Sequence, residues 1–375
     1  MSEIRISHLS KSYAGQQVLD DICLQIGSGE FVAVLGPSGS GKTTLLRTLA
    51  GFEPVDGGEI YLGDRLMSST GRHLPPEQRQ LGIVFQNYAL WPHMTVAENV
   101  GYSLKIAKVA DGERRQRIDS ALELVGLQGY GQRRPADLSG GQRQRVALAR
   151  CMVSRPQVVL LDEPLANLDV HLRAAMEAEF EKFHRHTQAT LLYITHDQRE
   201  AMALADRVVV MDQGRVMQFC SPEQLYRQPA NAMVARFIGD GMVMPVADVV
   251  PDGRGRATAR LCHQQVRVRC HGDRPVAEAQ LAFHREDLRL APPEAPGIAA
   301  IVRRVSYRGA DVQIDCQIPQ YPAALLSLYC PPGQAPAVGA ALSLALADGW
   351  IIGPSSSSLP PFAKALTSTG MEHAY

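Results

Sequence analysis

The chain has 375 residues, 38 basic and 38 acidic, for a formal net charge of zero. This length allows two ordinary domains with a sizeable core in the first. The charge balance supplies no global field to recruit nucleic acid or an anionic membrane surface, so any polyanion must be met by a local site. The N-terminus MSEIRISHLSKSY lacks a basic segment followed by an apolar core, and no apolar run approaches the roughly 18 residues of a membrane span. A soluble, cytoplasmic chain is expected.

In chain order, the first strong signal is the apolar run FVAVL (Phe31–Leu35), followed by GPSGSGKTT at 36–44 and the helical pattern LLRTLA. Strands are predicted next at 82–85, Val158–Asp162, 191–195 and 207–211. The near-continuous apolar character of 158–161 and 208–211 points to strands covered on both faces, and hence to an α/β unit built on a parallel sheet, over residues 1–236. The charged, helically spaced stretch GERRQRIDSALELVGL marks a helical insertion over about 87–150. After Phe237 the run IGDGMVMP reads as a linker, and short alternating segments at 265–270, 301–307, Val312–Ile318 and Ala341–Leu346 predict a small all-β, OB-like barrel over 237–358. The end GPSSSSLPPFAKALTSTGMEHAY is rich in Ser and Pro, and within it 359–375 is expected to be a mobile tail.

The seven cysteines are Cys23, Cys151, Cys220, Cys262, Cys270, Cys316 and Cys330; without a CxxC pair they fit reduced thiols. CHQQVRVRCH repeats a Cys-His pair, Cys262-His263 and Cys270-His271. Neighbours on a strand point to opposite faces, so one strand cannot direct all four at one ion, and a strand with Val266, Val268 and Cys270 inward is the preferred reading.

The loop GPSGSGKTT fits G-x-x-x-x-G-K-[ST] between a strand and a helix. Gly36, Ser38, Gly39, Ser40 and Gly41 let the backbone wrap a triphosphate, so that its N–H groups and those opening the next helix meet the phosphate oxygens. Lys42 supplies a fixed charge for the β- and γ-phosphates, Thr43 a hydroxyl for Mg²⁺, and Thr44 continues the turn. In VVLLDEP, Asp162 closes an apolar strand at the end that faces this crevice and can hold Mg²⁺, while Glu163 is placed to polarise the attacking water.

The segment LSGGQRQRVALAR at 138–150 resembles the signature of ATP-binding cassette (ABC) transporter ATPases, and other pieces of that family's pattern surround it in order over residues 1–236. Tyr13 resembles the aromatic residue that stacks on adenine, Gln86 in VFQNYALWPHMTV the Q-loop glutamine, His196 in YITHDQREA the switch histidine, and LANLD, ending at Asp169, the loop that crosses the dimer interface. Taken singly, Gln86 reads as a polar loop residue, His196 as a strand-end histidine and Tyr13 as core; the conjunction gives them their roles. The resemblance implies a P-loop NTPase core with a helical subdomain, ATP and Mg²⁺ as ligands, and a homodimer. In it, Ser139, Gly140, Gly141 and Gln142 of one chain close on the phosphates held by the other. It assigns catalysis to Glu163, His196 and Gln86, and the metal to Thr43, Gln86 and Asp162. Ala166 departs from the serine common in the interface loop, which removes one hydroxyl there.

The second half resembles the accessory (TOBE) domain of importer ATPases for maltose, polyamines, phosphonates or ferric iron, with FHREDL and VRRVSYRGADVQI as its pieces. A separate membrane permease and, indirectly, an external solute-binding protein are then the expected partners, and nucleic acid is not. The helical insertion is the part that would receive the permease, at the cytoplasmic face of the inner membrane. FIGDGMVMPV and LYRQPA most resemble the ferric-iron members, so iron is the expected solute. Cassette ATPases of DNA repair and translation are the alternatives of another class. Ser139 lies only 97 positions after Lys42, too few for the repair type's coiled coil, and the chain carries one cassette, not two. A regulatory role for the β-region would be compatible with transport.

Overall fold

The computed structural model describes residues 2–86, 88–166, 170–292 and 296–353; for 170–172 only the backbone is described. The expected tail at 359–375 and Asp169 lie outside these residues. The chain divides into two compact units, Met1–Pro222 and Glu223–Tyr375. The change of texture in the sequence comes later, near Phe237, because two short helices belong with the second unit.

The first unit contains strands β1 (Ile4–Tyr13), β2 (Gln16–Ile26), β3 (Phe31–Leu35), β4 (Gly57–Leu62), β5 (Arg65–Ser69), β6 (Arg72–His73), β7 (Gly82–Val84), β8 (Val158–Asp162), β9 (Thr190–Ile194), β10 (Arg207–Asp212) and β11 (Arg215–Cys220). Its helices are α1 (Lys42–Ala50), α2 (Val96–Ile106), α3 (Asp111–Leu124), α4 (Gly140–Met152), α5 (Val170–Thr187) and α6 (Gln198–Leu204). One sheet runs β11-β10-β3-β9-β8-β7, parallel except at the β10–β11 hairpin. Its apolar runs are covered on both faces, as alternation along a strand demands. Val158, Leu160, Leu192 and Ile194 pack with Ile4, Ile6 and Leu9 of the N-terminal strands. Their neighbours Val159, Leu161, Leu191 and Tyr193 pack with α2, α3 and α4 residues such as Val100, Leu122 and Val146.

One feature differs from the sequence expectation. A second, antiparallel sheet, β2-β1-β4-β5-β6, fills the N-terminal part of this unit, where no strand was predicted. The insertion is helical as expected. Thr95 caps α2 reciprocally with Glu98, and Ser139 caps α4 reciprocally with Gln142, two donors satisfied at each helix start.

The second unit opens with α7 (Pro222–Arg227) and α8 (Ala232–Phe237) and is otherwise β: β12 (Met242–Pro251), β13 (Arg256–Leu261), β14 (Gln264–Arg269), β15 (Val276–Phe283), β16 (Leu288–Leu290), β17 (Ile298–Tyr307), β18 (Val312–Ile318), β19 (Tyr321–Cys330), β20 (Ala341–Leu346) and β21 (Trp350–Ile352). The expected barrel is present as β12-β13-β14-β21-β15, but it accounts for half the strands; β16-β20-β17-β18-β19 form a separate sheet on the same core. Val266, Val268 and Cys270 are buried as the strand reading requires. Cys262 and His263, by contrast, form the left-handed turn between β13 and β14, with φ of 48° and 68°.

Candidate functional site

The glycine loop leaves the C-terminal end of β3 and runs into α1. Lys42 is buried, its Nζ donating to the carbonyls of Gly36 (2.8 Å) and Pro37 (2.9 Å), with Ser40 Oγ at 3.5 Å. Gly39 has φ +80° and open space where a Cβ would stand, so a ligand can approach the backbone closely there. Ser38 and Thr43 are exposed, Ser40 is buried, and Thr44 is half-buried. The first turn of α1 leaves N–H groups without intrahelical partners, so the loop and helix end together form a concave donor surface. Gly41 caps this helix and accepts from Leu45 N–H at 2.9 Å.

Asp162 ends β8, two strands from β3 across β9. Burial and the neighbouring Glu163 carboxylate raise its pKa above the ordinary carboxylate range, against the pull of Arg47 and Lys42. Burial likewise lowers the Lys42 pKa, opposed by Glu163 and Asp162. A half-buried carboxylate whose charge is under-compensated fits a bound cation, so Asp162 with the exposed hydroxyl of Thr43 suits the magnesium expected beside a triphosphate. Glu163 adopts φ 44°, a region a non-glycine residue seldom enters, with its N–H bonded to Ile194 O at 2.9 Å. Its Oε2 meets two of the predicted groups: Gln86 Nε2 at 3.3 Å and His196 Nδ1 at 3.3 Å.

Sequence reasoning missed what braces the residues flanking His196. The flanking Thr195 donates to buried Glu200 Oε2 at 2.6 Å, and Tyr193 OH donates to the same oxygen at 2.8 Å. Asp197 N–H donates to Thr195 Oγ1 at 3.0 Å, while Arg173 of α5 pairs with Asp197 at 2.7 Å and with Glu200 at 3.5 Å. The available signal was weak: Glu200 lies four residues after His196, on the short helix α6.

The remaining predicted residues stand apart from this cluster. Ser139 and Gln142 bond each other at the start of α4, Gln142 also reaches Tyr130, and Gly140 has open space around it. Gly141 is buried in the same first turn. Tyr13, at the end of β1, is 39% exposed, with Lys11 Nζ 5.3 Å from its ring centre.

A parallel sheet with a glycine loop at one strand end and an Asp-Glu pair at another defines a P-loop nucleotide-binding ATPase. The family profile described as ABC transporter matches residues 19–166. The spermidine/putrescine import ATP-binding protein of Marinobacter nauticus is 43% identical over 82% of each chain. An sn-glycerol-3-phosphate import ATP-binding protein of Rhizobium johnstonii is 45% identical over 79% of each, and the maltose/maltodextrin import ATP-binding protein of Yersinia pestis is 41% identical over 85% of this chain and 86% of its own. Among solved structures, a dimeric ATP-binding cassette in a post-hydrolysis state with ADP and Pi aligns with TM-score 0.52 and 28% identity, over 58% of this chain and 98% of its own. The chain belongs to the ABC transporter family; it is an ATP-hydrolysing transporter ATPase of the import type.

Proposed function

We propose that this chain drives uptake of an organic solute by closing as a homodimer on ATP and reopening on hydrolysis. The observation that carries the hydrolytic part is the convergence of Gln86 and His196 on one oxygen of Glu163. Glu163 takes the proton of the attacking water, and the two neighbours hold its carboxylate in line. Lys42 exchanges its carbonyl partners for the β- and γ-phosphates, and the backbone of 36–44 cradles them. Thr43, Asp162 and Gln86 would hold Mg²⁺, which when bound neutralises charge on the β- and γ-oxygens. Tyr13 packs on the adenine.

The signature residues Ser139, Gly140, Gly141 and Gln142 carry out their part across a dimer. The hydrogen bonds of Ser139 and Gln142 stay within this chain, at the start of α4 and to Tyr130, and a related cassette has been solved as a dimer. Asp169 completes that interface. Closure does work only if ATP binds the closed state more tightly than the open one, which a site split between two chains ensures. Among the described residues no helix is long and apolar enough to cross a membrane, so a separate permease, met by the helical subdomain at the cytoplasmic face of the inner membrane, carries the solute. An external binding protein would deliver it.

For the solute, a polyamine, glycerol phosphate or a sugar is favoured over ferric iron. The relatives reported above are named for those organic solutes. The segments that suggested iron are α7 and the junction of α8 with β12, parts of the second unit's scaffold. Uptake of radiolabelled spermidine, glycerol 3-phosphate, maltose and ferric iron by cells with and without the gene tests this. Loss of one organic solute with iron uptake intact is expected, and loss of iron uptake alone would overturn it.

A further inference from the structure

Away from the nucleotide site, irregularities in the first antiparallel sheet bring three ligand-type side chains to one point. Between Ile6 and Leu9 the β1–β2 register slips: Ile6 opposes Leu24 while Leu9 opposes Ile22, so three steps of β1 span two of β2. His8 lies in this bulge with φ 49°, and Asp21 on the facing strand has φ 55°. The third strand makes room for the distortion. Gly58 of β4 has φ +78°, and a Cβ there would stand 2.3 Å from the His8 carbonyl oxygen. Bulges of this kind re-aim a side chain that regular pleating would point elsewhere.

The re-aimed groups converge. His8 Nδ1 lies 2.7 Å from Asp21 Oδ1 and 3.7 Å from Cys23 Sγ, and all three ligand atoms fall within 4.8 Å of one another. With metal bonds of about 2.3 Å to sulfur and about 2.0–2.2 Å to nitrogen and oxygen, a tetrahedral ion needs a nitrogen–sulfur separation of about 3.6 Å and a nitrogen–oxygen separation of about 3.4 Å. The first is already met, and the second requires the carboxylate to swing outward by less than about 1 Å. His8 and Asp21 are exposed, which leaves a fourth position for water, and Cys23 is half-buried behind them. Burial pushes the Cys23 thiol up and Asp21 adds to this, while the His8 N–H, 3.3 Å from the sulfur, favours the thiolate.

We propose that His8, Asp21 and Cys23 form an open, three-ligand site for a thiophilic divalent cation of the zinc class. A sulfur and an imidazole select such an ion over Mg²⁺, which prefers oxygen donors, so the site is chemically separate from the one that serves ATP. Among the described residues this is the one group of His, Cys and acidic side chains with ligand atoms so close together.

Cobalt(II) titration of the reduced, metal-free full-length protein, without nucleotide, tests it. A thiolate-to-cobalt charge-transfer band that saturates at one ion per chain and is displaced by zinc is expected. Cys23→Ala should abolish the band. His8→Asn, which keeps a residue tolerant of left-handed backbone, should weaken binding by at least about tenfold, the least that loss of even an outer partner of a metal site costs. Cys262→Ala, which removes the other half-buried thiol, should leave the band unchanged. No band in the wild-type protein, or a band that survives Cys23→Ala, would mean that the trio is an ion pair beside a thiol, and the proposal would fall.

Discussion

Asp162 in the first unit and Asp315 in the second are aspartates on β-strands with opposite electrostatic standing. Burial and Glu163 raise the pKa of Asp162. Burial acts on Asp315 in the same direction, but bonds from Ser327 (2.6 Å), Gln313 (3.0 Å) and Arg304 (2.8 Å) hold it below the ordinary range. The wider units follow the same division. Around the glycine loop, charges are gathered with incomplete compensation and Glu163 sits in strained backbone. In the second unit Arg269 pairs with Asp348, Arg285 with Asp240, and Tyr226 with Glu286. Asp315 has its partners within the chain and is structural, whereas the under-compensated Asp162 is placed for something the chain binds.

The largest expected break in this comparison is Glu163→Gln. It removes the base and keeps the shape, so kcat for ATP should fall by about 10²–10⁴-fold while bound ATP is retained, read by single-turnover hydrolysis and nucleotide binding. Wild-type turnover would dismiss Glu163 as the base. In the second unit the corresponding deep cut is Ile314→Ala, at a fully buried position of its core. It should cost about 2–5 kcal/mol of that unit's stability in denaturant unfolding, with ATP hydrolysis by the folded protein unchanged.

How much of this was legible follows from periodicity. β3 and β8 were visible as unbroken apolar runs, and the loop and the Asp-Glu pair at their ends could be read with them. The first sheet was hidden because the bulges in β1 shift its buried positions from Ile4 and Ile6 to Leu9, a step of two and then of three, which no single strand period matches. In the second unit β17, β18 and β20 were legible one at a time, but their membership in a sheet apart from the barrel was not. β21, near the end of the described chain, closes the barrel between β14 and β15, a pairing no local pattern announces. The motif residues were likewise legible, whereas Glu200, which lies within YITHDQREA but was given no role there, and Arg173, outside any motif, were not.

The aspartate pair gives a sharper test with opposite signs. The folded-state pKa of Asp162 is raised, so its ionised form is penalised by folding; the penalty is absent at low pH and sets in as pH rises through the folded value. Asp162→Asn should therefore raise Tm of the nucleotide-free protein at neutral pH while abolishing hydrolysis. The folded-state pKa of Asp315 is lowered, so its contribution is full above the ordinary aspartate range and is lost as pH falls toward the folded value. Asp315→Asn should lower stability at neutral pH by about 1–3 kcal/mol, with the deficit shrinking in acid. Calorimetry of both variants across pH reads the two signs, and a fall in Tm for Asp162→Asn would cancel the contrast.

The smallest effect belongs to the brace behind His196, which shares a feature with each unit. Glu200 is 3% exposed and well supplied with partners, as in the second unit, yet those partners flank a group that touches Glu163. It positions and does not react. Glu200→Gln keeps the length and one acceptor oxygen but weakens the bonds from Thr195 and Tyr193 and the pairing with Arg173, so His196 should hold Glu163 less firmly. The expected result is a drop of about tenfold in kcat, near 1.4 kcal/mol, with KM for ATP unchanged, because the glycine loop is untouched. If KM and kcat moved together, or Tm fell enough to account for the lost turnover, Glu200 would be a structural residue of α6 and not a support for the site.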